Sequence, residues 1–204
     1  KYDVDFGEDE LTGSQEQAVR ILSIHKSKGL EFPVVFVSGM GKVMNQSDAK
    51  GTLILHPNLG IGCDSIDLKM RTRRPTLLKQ CLKRRTVLET MGEELRVLYV
   101  ALTRAKEKLI LTGTICNLKE RVQSFSGVCD REEIPLSFLD RSQARTYWDW
   151  ILPALLRSAC AKELLDECWV LPEEENPLYH RNCGFKICRI LPEELIGMEK
   201  SRQI

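Results

Sequence analysis

The chain has 204 residues, 43% of them apolar and 29% charged, with a formal net charge of +1. That length buries a sizeable core as one domain with an extension or as two small domains, and the composition excludes an intrinsically disordered chain. The near-neutral balance excludes a global field that steers the chain to nucleic acid, so any such attraction is local, and no apolar run reaches the ~20 residues that span a bilayer.

Residues 1–18 are acidic and then polar without periodicity, and read as a lead-in; Lys1 in place of methionine fits a piece excised from a longer polypeptide. Val19 to Ile24 and Val34 to Val37 are continuous apolar runs. They predict two strands covered on both faces in a parallel sheet. Gly39, Gly41 and Asn45 mark a loop, and Leu53-Ile54-Leu55, Pro57-Asn58, Gly60 and Gly62 predict a β-hairpin excursion within 51–76.

From Pro75 the period changes. Leu77, Cys81, Leu88, Met91, Leu95, Leu98 and Leu102 fall at helical spacings and predict one long amphipathic helix that starts at the proline. Gly92 weakens its middle, and beyond Leu95 both faces are apolar, which predicts a buried end carrying Arg104. Lys108 to Gly113 predicts a further buried strand. This α/β order implies a parallel sheet with flanking helices. Asp140 to Ala161 predicts helix interrupted at Pro153, with Tyr147, Trp148 and Trp150 as a core or docking face, and 173–177 carries a linker signature.

Charge is uneven along the chain. Asp3, Asp5, Glu8, Asp9 and Glu10 crowd the start, while Lys69, Arg71, Arg73, Arg74, Lys79, Lys83, Arg84 and Arg85 form a block without an acid. That block is either a solvated helix face or a track for phosphates. The eight cysteines make no C-x-x-C and no cluster with zinc spacing, and without a signal peptide they read as reduced cytosolic thiols. No metal site is expected.

Two segments carry chemistry. His25-Lys26-Ser27-Lys28-Gly29 is a donor-rich turn between predicted strands, at the kind of sheet edge where α/β proteins hold ligands. It suits phosphate oxygens, with Gly29 allowing close backbone approach and Glu31 accepting from a hydroxyl such as that of a ribose; the alternative is a solvated surface turn. Arg104 cannot shed its charge at a buried helix end. It either pairs with Glu107 or Glu31 or meets a phosphate chain.

Ile24-His25-Lys26-Ser27-Lys28-Gly29-Leu30-Glu31-Phe32-Pro33-Val34-Val35-Phe36, followed by Glu93-Glu94-Leu95-Arg96-Val97-Leu98-Tyr99-Val100-Ala101-Leu102-Thr103-Arg104-Ala105, resembles motifs V and VI of the UvrD/Rep group of superfamily 1 DNA helicases. Within that group, Leu55 to Gly62 and Tyr147 to Leu155 resemble the AddA-type subunits of bacterial AddAB (RexAB) helicase–nucleases. The resemblance is clear over 19–114 and thins toward 157. It implies a second RecA-like helicase domain over 19–114, a lead-in over 1–18 from an inserted accessory domain, and a mostly helical extension over 115–204 toward a nuclease domain.

It also implies roles for individual residues. Arg104 reaches across a cleft to the γ-phosphate of ATP, Gly29 and Glu31 lie by the nucleotide, and His25, Lys26, Ser27 and Lys28 lie where the nucleotide and single-stranded DNA sites join. Implied partners are ATP with Mg²⁺, DNA as single strands and duplex ends, the remainder of the same polypeptide and an AddB-like companion nuclease subunit, in the bacterial cytoplasm and without a membrane. No G-x-x-x-x-G-K-[ST] occurs, so the chain resembles half of a motor, with neither complete helicase nor nuclease machinery. The alternatives are a non-hydrolysing RecA-like scaffold in a repair complex, or part of a plain UvrD-like helicase without nuclease.

Overall fold

The computed structural model describes residues 19–129, 131–132, 135–171, 174–181, 184–191 and 193–194; the lead-in expected at 1–18 lies outside them. Two apolar strands carry a parallel sheet, β1 (Phe32–Val37) beside β6 (Ala105–Leu111). A parallel pair needs a crossover, and α1 (Leu77–Leu102) supplies it. Between β1 and α1 lie two antiparallel hairpins, β2 (Ile54–His56) with β3 (Gly60–Gly62), and β4 (Asp64–Asp67) with β5 (Thr72–Pro75). After β6 come α2 (Leu118–Ser124), α3 (Ser126–Cys129), α4 (Phe138–Ser142), α5 (Trp148–Leu155) and α6 (Lys162–Glu167). The chain is therefore mixed α/β with a parallel sheet and flanking helices, as the element order implied.

Register decides which sheet face is buried. Val35 sits opposite Leu109 and Val37 opposite Leu111, and these four join Met91, Leu98, Ala101 and Trp150 in one hydrophobic cluster. The alternate positions face outward, with Val34 46% and Phe36 68% exposed. The expectation of strands covered on both faces is thus corrected: the described helices cover one face only. Val19 to Ile24 is not a strand either. Val19 and Ile21 are almost fully exposed, and 24–29 form turns, because no strand among the described residues offers this segment a ladder.

The long helix begins two residues later than the proline suggested. Pro75 closes β5, and Thr76 caps α1, its Oγ1 accepting from Lys79 N at 3.2 Å and donating to Cys63 O at 2.6 Å. The apolar stripe is also displaced in the first turns: Leu77 and Cys81 are exposed while Leu82 is fully buried, because the hairpins approach on the Leu82 side, with Gly62 against Lys79 and Leu82. At the far end Leu98 and Ala101 are buried but Tyr99 is 68% exposed, so only one face there is covered. The helix runs through Gly92, where an added Cβ would meet nothing within 4 Å. Gly92→Ala is therefore expected to stabilise the fold by about 0.5–1 kcal/mol, read as a higher unfolding midpoint.

Close backbone approach joins the loops that leave β1 and β6 at the same end of the sheet. A Cβ on Gly41 would lie 2.0 Å from Thr114 O, and one on Gly113 would lie 2.9 Å from both Gly41 N and Trp148 Nε1. The loop after β1 also receives the Tyr147–Trp150 segment: Trp148 N donates to Met40 O at 3.3 Å and Met44 N to Arg145 O at 2.8 Å. The helix expected over 140–161 is broken at 143–147 and again after Leu155, while Pro153 lies within α5. Asp149 explains the first break. Buried to 5% exposure, it accepts from Arg145 N at 2.7 Å and Thr146 N at 3.0 Å and pairs with Arg121, so these backbone amides turn onto its carboxylate.

A second cluster gathers Val122, Cys129, Leu156, Leu164, Leu165 and Cys168. The stretch that reads as a linker docks on it. Asn176 is buried, donating from Nδ2 to Cys129 O at 2.8 Å and Arg131 O at 3.0 Å. The cysteines among the described residues are free thiols, and no described helix is long and apolar enough to cross a membrane.

Three carboxylates tie the hairpins and loops to helices. Asp64 is held below the usual carboxylate range, chiefly by the hydrogen bond from Lys79 and further by Arg73, against desolvation. At Glu89 and Asp140 desolvation pushes upward but is outweighed, by Arg85 and His56 at the first and by Ser137 and Arg131 at the second. Each binds its proton less readily folded than unfolded. The stability they add is present above their unfolded values and is lost as pH falls through the depressed folded ones. Thermal midpoints are expected to hold down to about pH 5 and to decline below about pH 4, with Asp64→Asn shallowing that decline.

Candidate functional site

The second half of α1 and the turn before β1 meet at Arg104. Thr103 is the C-cap of α1, its hydroxyl donating to Tyr99 O at 2.9 Å and Val100 O at 3.1 Å. Arg104 Nε donates to Val100 O at 3.0 Å, Nη2 to Thr103 Oγ1 at 2.9 Å, and Nη1 to Leu30 O at 2.9 Å. Its carbonyl accepts from Phe32 N at 2.9 Å. The arginine therefore stitches the 30–32 backbone to the helix end through both its main chain and its side chain.

All three acceptors are neutral. The carboxylate partners within sequence reach of Arg104 are not used: Glu31 pairs with Lys106 at 3.3 Å, both 59% exposed, and no acid pairs with Arg104 among the described residues. The helix end supplies carbonyl dipoles that favour a cation there, but leaves its formal charge uncompensated. Gly29 holds φ +84, a conformation that glycine adopts at little cost, and Leu30, which receives the guanidinium, lies directly between Gly29 and Glu31. Gly29, Glu31 and Arg104 thus form one corner.

The rest of the turn is arranged differently from its sequence promise. Ser27 is buried, its Oγ donating to Ile24 O at 2.7 Å. The amides of Ser27, Lys28 and Leu30 bond to carbonyls of the same turn. The hydroxyl and these amides are consumed in shaping the turn, which leaves the side chains of His25, Lys26 and Lys28 at its exposed surface. His25 faces a separate cleft of about 370 Å³, shared with Ile24, Glu93, Glu94, Val97 and Tyr147. Glu94 lies ten positions before Arg104, roughly 15 Å along the helix. In this cleft Tyr147 donates its hydroxyl to Glu94, and burial together with that carboxylate pushes the phenol well above its ordinary pKa. The spacing of Tyr147 in the sequence carries no sign of this link to α1. Only the fold brings the two together.

A cation pattern of mixed character surrounds the hairpins. Arg73 and Lys79 share Asp64, and Arg85 pairs with Glu89, so part of the basic block is structural. Lys69, Arg71, Arg74, Lys83 and Arg84 are exposed.

The sequence model of the UvrD-like helicase C-terminal domain matches residues 3–115, and the chain belongs to that family. Among its relatives it is 47% identical over 156 residues to the A subunit of the ATP-dependent helicase/nuclease of Lachnoclostridium phytofermentans, covering 76% of this chain and 11% of that protein. It is 43% identical over 166 residues to the protein of the same name from Clostridium kluyveri, covering 80% and 13%. The likeness to the Clostridium botulinum protein of that name is also 43%, over 173 residues, covering 84% and 13%. The chain thus spans only about a tenth to an eighth of the length of these relatives.

Proposed function

We propose that this chain is part of the second RecA-like domain, with its helical extension, of an AddA-type ATP-dependent DNA helicase/nuclease subunit that serves double-strand break repair and recombination in the bacterial cytoplasm. Residues 19–114 form the motor portion and 115–204 the extension toward a nuclease domain; an AddB-like subunit, DNA and the remainder of the polypeptide are the partners. The observation that carries the reading is the guanidinium of Arg104, tied to Leu30 O and to the helix end and paired with no carboxylate among the described residues. An uncompensated, always-charged group beside a left-handed glycine fits the phosphates of ATP with Mg²⁺. The helicase/nuclease names of relatives at 43–47% identity support the rest.

When bound, ATP supplies the free energy of phosphoanhydride hydrolysis. Arg104 holds positive charge where the γ-phosphate sits, Glu31 accepts from the ribose, and Gly29 keeps the backbone close. His25, Lys26 and Lys28 stand next along the chain, toward single-stranded DNA, on the turn that the buried Ser27 shapes from within. Because Arg104 is bonded to Leu30 O, any shift of its side chain is felt at the turn that bears them. This is a direct mechanical link between nucleotide and strand.

The chain contains no Walker A lysine, so purified free of contaminants it is expected to release no phosphate from ATP, with or without DNA. DNA-stimulated release by the 204-residue chain itself would contradict the division of labour proposed here.

A further inference from the structure

A cavity of about 170 Å³ opens where the first turns of α1 meet the loop before β2, lined chiefly by Lys50, Gly51, Pro75, Lys79, Gln80 and Lys83. No acid lines it. Lys79 is fixed in its wall, its Nζ donating to Thr52 O and to Asp64, each at 2.8 Å. Asp64 also takes Arg73, so one carboxylate serves two cations and that group keeps a net positive charge. Lys50 and Lys83 have neither a hydrogen bond nor an ion pair from their side chains among the described residues. The site is therefore a small basin of positive potential with two unneutralised ammonium groups at its mouth and one anchored in its wall.

The neighbouring hairpin extends this potential. Pro75 leads from the cavity wall into β5, where Arg74 sits across from Ser65 and Arg73 across from Ile66. The two arginines thus occupy opposite faces: Arg73 turns to Asp64, and Arg74 to the other side. At the turn, Asp67 Oδ1 accepts from Lys69 N at 2.9 Å and Met70 N at 3.1 Å, and Arg71 sits at φ +51. The bend that presents Lys69 and Arg71 is held by its own hydrogen bonds.

We propose that this cavity seats a phosphate of a nucleic-acid backbone, with Lys50 and Lys83 as ammonium donors and Gln80 as an amide donor, while Lys69 and Arg71 meet neighbouring phosphates. The volume admits a phosphate group, and the described lining residues offer no aromatic face on which a base could stack. Further exposed cations at the tip of the adjoining hairpin, Lys69 and Arg71, suit a polymer of phosphates better than a single nucleotide. Ammonium groups act as point charges, so the seat positions the strand without reading its sequence. The proposal rests on the nucleic-acid reading given above.

The test is Lys50→Ala with Lys83→Ala in the full-length polypeptide, titrated with a fluorescent oligothymidylate over a range of salt concentrations. The dissociation constant is expected to rise roughly fivefold per lysine, and the salt slope to fall by about 0.7 for each phosphate no longer neutralised. Both side chains are exposed, so the melting midpoint should not move; Lys83→Glu, a second variant, should weaken binding further. Unchanged affinity and slope in a protein whose wild type binds the strand tightly would overturn the seat alone. A wild type that does not bind the oligonucleotide would refute the underlying reading and the seat with it. Loss of ATP affinity measured without DNA, with strand affinity retained, would give the cavity to a free nucleotide and overturn the proposal.

Discussion

Replacing Arg104 by alanine in the full-length polypeptide is expected to lower DNA-stimulated ATP turnover by about a thousandfold or more, the contribution made by arginines that stabilise charge in phosphoryl transfer. The alternative is a purely structural arginine, and the geometry separates the two readings by magnitude. Its side chain makes three hydrogen bonds to neutral acceptors at a partly exposed position. Losing them costs about 1–2 kcal/mol, because such bonds contribute little in net terms and water re-satisfies the acceptors. That loss shifts an unfolding midpoint by a few degrees and leaves turnover per folded molecule untouched. A salt bridge buried and broken would instead have cost about 3–5 kcal/mol, but no carboxylate is there to break from among the described residues. A large kinetic loss with a small stability loss is therefore the expected signature. A near-normal turnover in the alanine variant, or a loss explained by melting, would return Arg104 to a structural role.

The largest expected stability effect lies elsewhere. Asp149→Ala removes a carboxylate that is 5% exposed and serves Arg121 and two backbone amides at once. The amides of Arg145 and Thr146 lose their acceptor, the Arg121 guanidinium loses its anion, and the sharp entry into α5 loses its fastening. Bonds to a charged acceptor contribute about 1.5–3 kcal/mol, and the orphaned donors add a desolvation cost, so about 3 kcal/mol overall is expected. Trp150, whose Nε1 donates to Arg141 O at 3.0 Å, and the Met40–Met44 loop that rests on this entry should loosen together, which amide exchange would register. Asp149→Asn keeps an acceptor oxygen and should lose roughly half as much. An alanine variant as stable as wild type would show that α5 is held by packing alone.

The fold is legible where chemistry is local. The parallel strands announce themselves through Val34 to Val37 and Lys108 to Leu111, the crossover helix through its spacing, and the first hairpin through Pro57-Asn58 and Gly60. Sequence pattern misleads where distant surfaces decide. Val19 to Ile24 has the composition of a strand, but a strand needs a neighbour to accept its ladder, and the described residues provide none. Cys81 lies on an apolar spacing yet faces solvent, because the hairpins approach on the Leu82 side. Asn176 sits in a polar stretch that looks like a linker, and only its two backbone acceptors, 45 and 47 residues earlier, make it core.

For the candidate site, the sequence patterning brings Gly29, Glu31 and Arg104 together through a resemblance, and the geometry supplies the physical link through Leu30 O. The hydroxyl and amides of the Ser27 turn look like free donors in sequence, but they are spent on the turn itself. Lys50 lies outside the basic block and has no motif of its own. It enters the proposed phosphate seat only because the fold brings it to the same cavity as Lys79 and Lys83.

The most direct test of a phosphate-facing Arg104 is the Arg104→Lys variant of the full-length polypeptide, measured for ATP binding and for single-turnover hydrolysis on the same DNA. Lysine keeps the charge but loses the planar fork that reaches Leu30, Val100 and Thr103 at once. The predicted result is ATP affinity within a few-fold of wild type and a hydrolysis step slower by at least about a hundredfold. A hydrolysis step that stays at the wild-type rate in a folded Arg104→Lys protein would contradict the catalytic role.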